Sequence, residues 1–297
     1  MMAYILYKIG KFVALILPLR VSYGVACVLA DLYYYVSPKD RAAVAANLKI
    51  ISAVPLSDNE AKEVCRKVFR NFAKYLVEFF RFSLVNKEFI KKFVKIEGLY
   101  NVDMALANKK GAIMLSAHIG NWELGGLVLS SIRHPMGAVV LTHQNEKIND
   151  FFTTQRSFHN MKVIEIGMPL REGFKILKAN GLLALLGDRD FSKNGLYVDF
   201  FEKRALIPKG PAVLSYRTGA AIVPTFMIRE KDETFKFVFE SPIFPDTGKE
   251  ENSAVSALTH AYSAIIESYV KRYPEQWYVF RNVWDNNEKF ASPDTII

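Results

Sequence analysis

The chain has 297 residues, 51% of them hydrophobic, enough to bury a large core in one large domain or two small ones. Its formal charge of +9 and pI of about 9.3 suit anionic partners, such as a phospholipid surface, phosphorylated substrates, an acidic carrier protein or nucleic acid. Two cysteines, Cys27 and Cys65, exclude a disulfide framework, offer no metal-ligand spacing and fit a reducing compartment.

Residues Phe12 to Ala30 form an apolar run interrupted by Pro18 and Arg20, preceded by Lys8 and Lys11 and continuing apolar to Val36 without a clean cleavage site. It reads as a membrane anchor, either one tilted span or an interfacial helix pair, with a buried core helix as the plainer alternative. Ser57-Asp58-Asn59-Glu60 is a helix start. Val64, Val68, Phe69, Phe72, Tyr75, Leu76, Phe79 and Phe80 carry the helix on as a long amphipathic one. Lys62, Arg66, Arg70 and Lys74 recur once per turn on its polar face, which is either solvated or turned to anionic lipid. Residues 1–90 are thus expected to be a helical, membrane-associated N-terminal region.

From Phe93 the pattern changes. A short strand at 93–97 and a helix to about 108 lead into an apolar run at 112–117. A helix at 122–132, a strand at 138–141, a helix at 146–159, a strand at 163–166 and a helix at 171–179 follow. Leu182 to Leu186 is a buried strand and Gly210 to Thr218 a helix; strands at 221–228 and 235–239 precede a last long helix at 253–273. This alternation predicts an α/β domain over 91–297, a central, mostly parallel sheet flanked by helices.

The densest motif is Ser116-Ala117-His118-Ile119-Gly120-Asn121-Trp122-Glu123. It begins at the carboxyl end of a strand, where ligands collect in open α/β sheets. His118 and Glu123 would not share a face of one helix, but across a strand-turn-helix junction they can meet. A carboxylate on one ring nitrogen fixes the tautomer and leaves the other nitrogen as a base. A surface or capping pair is the alternative. Gly187-Asp188-Arg189-Asp190 also follows a strand and reads either as a polar site lining or as an ion-paired loop. Arg217 near a glycine cap reads as structural. Ser116 lacks the Gly-x-Ser-x-Gly elbow of serine hydrolases, and neither a metal set nor a phosphate loop is present.

In order and spacing these pieces resemble the bacterial lipid A biosynthesis acyltransferase family, within the wider glycerolipid acyltransferases that carry a His-x4-Asp/Glu motif. The resemblance rests on His118-Ile119-Gly120-Asn121-Trp122-Glu123, on Arg156, and on Asp188-Arg189-Asp190. Val198-Asp199-Phe200-Phe201, Pro208-Lys209-Gly210-Pro211, Thr218-Gly219-Ala220 and Pro274-Glu275-Gln276-Trp277-Tyr278 extend it. The chain departs from the family at Glu202-Lys203, where glycine is usual, and at Phe280-Arg281-Asn282-Val283-Trp284.

The resemblance implies transfer of an acyl group from acyl carrier protein or coenzyme A to a hydroxyl of a glycolipid, at the cytoplasmic face of a bacterial inner membrane. It gives His118 the role of general base and Glu123 that of its orienting carboxylate, with no metal or redox cofactor. Arg156 and Arg189 become candidates for phosphate or oxyanion binding, with Asp188, Gly120 and Asn121 also on the substrate side. Backbone N–H groups after Gly120 are the expected oxyanion donors. A phosphatidylinositol mannoside or lysophospholipid acceptor, or a catalytically silent membrane scaffold, are the alternatives. A nucleic-acid partner has only the net charge in its favour and no recognition motif.

Overall fold

The computed structural model describes residues 2–52, 57–132, 136–158, 161–165, 171–190 and 194–284. The N-terminal apolar run is two helices, α1 (Met2–Ile16) and α2 (Leu19–Val36). Pro18 precedes the first residue of α2; proline cannot continue α1 because it lacks the N–H and crowds the preceding turn. Among the described residues no helix is long and apolar enough to cross a membrane. The single tilted span is therefore corrected to a helix pair. α3 (Pro38–Ile51) follows, then α4 (Asp58–Phe80), whose start is the capping box of Ser57 and Glu60.

Three of the four cations in the basic stripe of α4 are taken up in ion pairs while staying partly open to solvent, and Lys62 is exposed. Arg66 and Arg70 each reach Asp31 of α2 with paired hydrogen bonds of 2.6–2.8 Å, and Lys74 pairs with Glu233. The two guanidiniums hold the Asp31 carboxyl well below the usual carboxylate range. The periodicity marks the helix correctly, but its polar face serves as a clamp between helices.

The α/β part runs α5 (Lys87–Phe93), β1 (Val94–Glu97), α6 (Tyr100–Leu106), β2 (Ala112–Ser116), α7 (Trp122–Ile132), β3 (Met136–Val140) and α8 (Glu146–Arg156). It continues with β4 (Lys162–Glu165), α9 (Arg171–Lys178), β5 (Leu182–Leu186), β6 (Leu196–Phe200) and β7 (Lys203–Ile207). It closes with α10 (Gly210–Thr218), β8 (Ala221–Arg229), β9 (Phe235–Phe239) and α11 (Glu251–Arg272). Predicted positions 159 and 166, at the ends of α8 and β4, lie outside the described residues.

Among the described residues seven strands form one sheet in the order β1-β9-β8-β2-β5-β3-β4, parallel throughout except for β8 against β9. The mostly parallel sheet expected from the alternation is present. Side chains alternate across it: Ile113 and Leu115 enter a core with α10 and α11, while Ala112 and Met114 enter one with α6, α7 and α8. Helix α4 contributes to both cores, Phe69 and Phe72 to the first and Phe79 and Phe80 to the second.

β6 and β7 form a separate hairpin that the sequence does not announce. Its two-residue turn is Phe201-Glu202, both at positive φ (55° and 57°), where Asn-Gly is the usual choice. The aromatic turn is held from outside. Trp284 stacks on Phe200 and meets Phe201 edge-on, and the Phe201 N–H donates to Glu267. This packing accounts for the departure at Glu202-Lys203: the turn rests on Trp284 and α11 instead of on a glycine.

Candidate active site

Strands β2 and β5 run parallel in a fixed register, from Ala112 beside Leu182 to Ser116 beside Leu186. Two residues beyond the end of each strand stand His118 and Asp188. The register brings them together: His118 Nδ1 lies 2.8 Å from Asp188 Oδ1, and the His118 N–H donates to Oδ2 at 2.9 Å. The indole N–H of Trp277 donates to the same Oδ2 at 3.0 Å. Asp188 is fully enclosed. Burial alone would raise its carboxyl, but the adjacent imidazole and these donors overturn that and hold it at about 2. Burial also lowers the His118 ring below its ordinary value, against the pull of Asp188. The state that satisfies both directions is an anionic Asp188 accepting from the Nδ1–H of a neutral ring, with Nε2 left for a substrate proton.

Glu123 is therefore corrected as the partner of His118. It stands in the first turn of α7, on the far side of the turn at Gly120, and faces α8. There Arg156 donates to it from Nε (3.0 Å) and Nη2 (2.6 Å), and both side chains are almost wholly buried. Burial works against the charge on Arg156, but Glu123 more than offsets it and pushes the guanidinium up. The guanidinium also lies over the rings of Phe79 and Phe152. The short spacing points to the right region, but the strand-to-helix turn sends the two side chains to different neighbours.

That turn needs glycine at position 120. Gly120 has φ of +61°, and a Cβ there would fall 2.0 Å from the Met227 carbonyl oxygen. The N–H groups of Gly120 and Asn121 donate to the carbonyls of Gln276 (2.9 Å) and Met227 (2.7 Å). Of the N–H groups after Gly120, those of Asn121 and Leu124 are thus engaged and are not free to serve an oxyanion. Asn121 is fully buried; its Oδ1 caps the Leu124 N–H at 2.9 Å and its amide donates to Glu78. Gly120 and Asn121 shape the turn and do not line the cavity.

The cavity has a volume of about 490 Å³, within the usual range of small-molecule sites. His118, Trp122, Glu123, Arg156 and Arg189 line its polar part, and the remainder is largely apolar. Trp122 meets His118 edge-on and stacks on Tyr75 of α4, with ring centroids 5.1 and 4.6 Å apart. Arg189 is buried and lowered to about 10, by burial first and then by the nearby charge of Arg281. Arg217 pairs with Glu251 on the exterior, as a structural residue would.

Residues 1–286 match the family described as bacterial lipid A biosynthesis acyltransferase. The chain belongs to that family. It is similar to the phosphatidylinositol mannoside acyltransferase of Mycobacterium tuberculosis H37Rv, 26% identical over 80% of this chain and 75% of that protein. It is also similar to the lipid A biosynthesis palmitoleoyltransferase of Escherichia coli K12, 26% identical over 74% and 71%. The lipid A biosynthesis acyltransferase of Haemophilus influenzae is 23% identical over 74% and 68%. The protein is an acyl-transferring enzyme.

Three features of this acyltransferase's site escape a reading of its sequence. Trp277 holds Asp188 from a segment some ninety residues away. The Tyr278 N–H donates to the His118 carbonyl, so the C-terminal segment braces the motif. The Ser116 hydroxyl, at the end of β2 and on the cavity wall, is buried with no hydrogen-bond partner among the described residues. The constant offset between β2 and β5 would have paired His118 with Asp188, had the strand order been known.

Proposed function

We propose that the enzyme moves a fatty acyl group from a thioester of acyl carrier protein or coenzyme A to a hydroxyl of a membrane glycolipid, and that the glycolipid is a lipid A precursor. The observation that carries this reading is a histidine, oriented by a buried carboxylate, at a largely apolar cavity in a member of this family. His118 Nε2 takes the proton of the acceptor hydroxyl as its oxygen attacks the thioester carbonyl. Asp188 orients the ring and stabilises the imidazolium, as in serine protease dyads. The tetrahedral intermediate then expels the thiolate, which recovers the proton, leaving an ester and a free thiol. General-base help of this kind contributes roughly 10²–10⁴-fold. The Ser116 hydroxyl is our donor to the developing oxyanion, since an unpartnered buried hydroxyl costs about 1–3 kcal/mol until something accepts from it. Arg189, beside His118, is suited to a phosphate of donor or acceptor.

A second reading, a phosphatidylinositol mannoside acceptor, is favoured by one observation: the mycobacterial relative aligns over 80% of the chain, against 74% for the E. coli one. In either case the acceptor lies in a bilayer, and α1 and α2 supply the contact. Met2, Ile5, Leu6, Ile9, Phe12 and Ile16 are exposed along α1, and Val25, Val28, Leu29, Leu32 and Val36 along α2. Such stripes mark interaction surfaces, and we assign them to the interfacial layer of the inner membrane, on its cytoplasmic face.

The test is incubation of purified enzyme with lauroyl-, myristoyl- and palmitoyl-carrier protein and the corresponding coenzyme A thioesters. Each donor is offered a tetra-acylated lipid A precursor or a phosphatidylinositol mannoside, with product mass read by mass spectrometry. One added acyl group, absent with His118→Ala, is expected. Thioester left intact with every donor and acceptor would overturn the reading.

A further inference from the structure

The cavity occupies the layer between α7 and the sheet face built by Met114, Ala138 and Ala184, which lie side by side on β2, β3 and β5. Strand register measures its depth. Met136 is level with Leu182, and Leu182 with Ala112, which precedes His118 by six residues. At about 3.3 Å per residue, and about 1.25 Å of advance per carbon in an extended chain, this depth holds roughly sixteen carbons.

Two adjacent glycines, Gly125 and Gly126, stand inside α7, where glycine weakens a helix. Gly125 has a packing reason: a Cβ there would come within 3.3 Å of Met227 and the Phe237 ring. Gly126 does not. Its Cβ would meet only Met161 Sδ at 3.4 Å and Met136 Cε at 3.9 Å, the far ends of flexible side chains. Alanine fits at 126 without moving the backbone, and a longer side chain projects into the cavity that Gly126 lines.

We propose that Met136 and Met161, whose tips lie against Gly126 of α7, close the far end of the acyl channel and set palmitoyl as the longest chain the enzyme accepts. This rests on the reading of the cavity as the acyl site. Gly126→Ala trims the end, Gly126→Leu blocks it, and Met161→Ala deepens it. A hydrophobic pocket discriminates by about 10–200-fold per methylene gained or lost, so Gly126→Leu is expected to lower kcat/KM for palmitoyl donors at least tenfold relative to lauroyl donors. Met161→Ala is expected to admit stearoyl donors.

The same variants are assayed without acyl transfer, by displacement of a fluorescent fatty acid from the full chain with laurate, myristate, palmitate and stearate. Gly126→Leu should retain laurate affinity within about threefold and lose palmitate affinity tenfold or more. Length-selective binding without thioester consumption upholds the channel end and overturns the proposed function. Acyl transfer with an unchanged length profile in both Gly126→Leu and Met161→Ala overturns the channel end and leaves the function standing. Equal loss for all chain lengths in Gly126→Leu, with no stearate gained by Met161→Ala, also overturns it; alanine at 126, which favours the helix, is the folding control.

Discussion

Asp188 and Glu123 are two buried carboxylates near one histidine, and they separate cleanly by what they touch. Asp188 engages Nδ1, and in the proposed mechanism it acts through His118 as a positioning residue; Glu123 pairs with Arg156. Asp188→Asn keeps the shape but removes the charge. We expect kcat to fall by roughly 10²–10⁴-fold, as when a base loses its orienting partner. The pH profile supplies the second readout. Burial already lowers His118 below 6.5, and Asp188 opposes that shift by raising it. The base is active when neutral, so wild-type kcat/KM should decline only below the ordinary histidine range. Removing the anion lets the ring fall further, so the acid limb of Asp188→Asn should move to lower pH on a lower plateau. A profile that keeps its acid limb in place would assign the loss to structure alone. In the sequence, His118 and the loop 187–190 are both legible as site residues. Their pairing is not, because it depends on β2 and β5 being neighbours, a contact between residues seventy apart. Glu123 is the nearer carboxylate along the chain, and chain proximity misleads where a tight turn separates strand from helix.

Elements meet at Glu78 of α4. Its carboxylate accepts from Tyr23 of α2, from Asn121 at the start of α7 and from Arg229 of β8, so one side chain ties an N-terminal helix, the motif turn and the sheet. Both Glu78 and Arg229 are buried. Glu78→Gln would leave the guanidinium only the partly exposed Glu233, 3.4 Å away, as counter-charge, at a cost of up to about 3–5 kcal/mol. Glu78→Gln combined with Arg229→Met should recover part of that loss, because a buried ion pair replaced as a unit is often near neutral. Chemical denaturation of the two variants measures the difference; equal destabilisation would mean that the pair does not couple these elements. The helices and sheet strands here are legible because their apolar periodicity is strong, and strand 182–186 and helix 210–218 coincide with the pattern. The β6–β7 hairpin is not, since Phe201-Glu202 carries no turn chemistry and is held by Trp284 and Glu267 from elsewhere in the chain. Nor is the use of Arg66 and Arg70: the same stripe suits a lipid-facing surface and a clamp on Asp31, and only the tertiary partner decides.

At the scale of the molecule, the inner sides of α1 and α2 pack on the rest of the chain while their outer sides carry apolar residues to solvent. Tyr7 packs against Phe80, Phe151 and Phe152, and Phe152 also lines the cavity, so the proposed membrane face and the proposed acyl site are joined through one aromatic layer. Two forces then act on binding. Apolar insertion gains up to about 1.5–3 kcal/mol for each large side chain removed from water, and the net charge of +9 adds an attraction to anionic lipid that salt screens. Ile9→Glu combined with Leu32→Glu places a charge in the middle of each stripe, which weakens the first force strongly, while the net charge falls only from +9 to +7. Sedimentation with vesicles of phosphatidylethanolamine and phosphatidylglycerol should show at least tenfold weaker binding for this variant. The residual binding should fall more steeply as salt is raised than that of wild type, which keeps a larger salt-resistant fraction. Because both positions face outward, thioester turnover in detergent should remain that of wild type. Unchanged sedimentation would move the membrane contact to another surface and leave the exposed stripes of α1 and α2 to a protein partner.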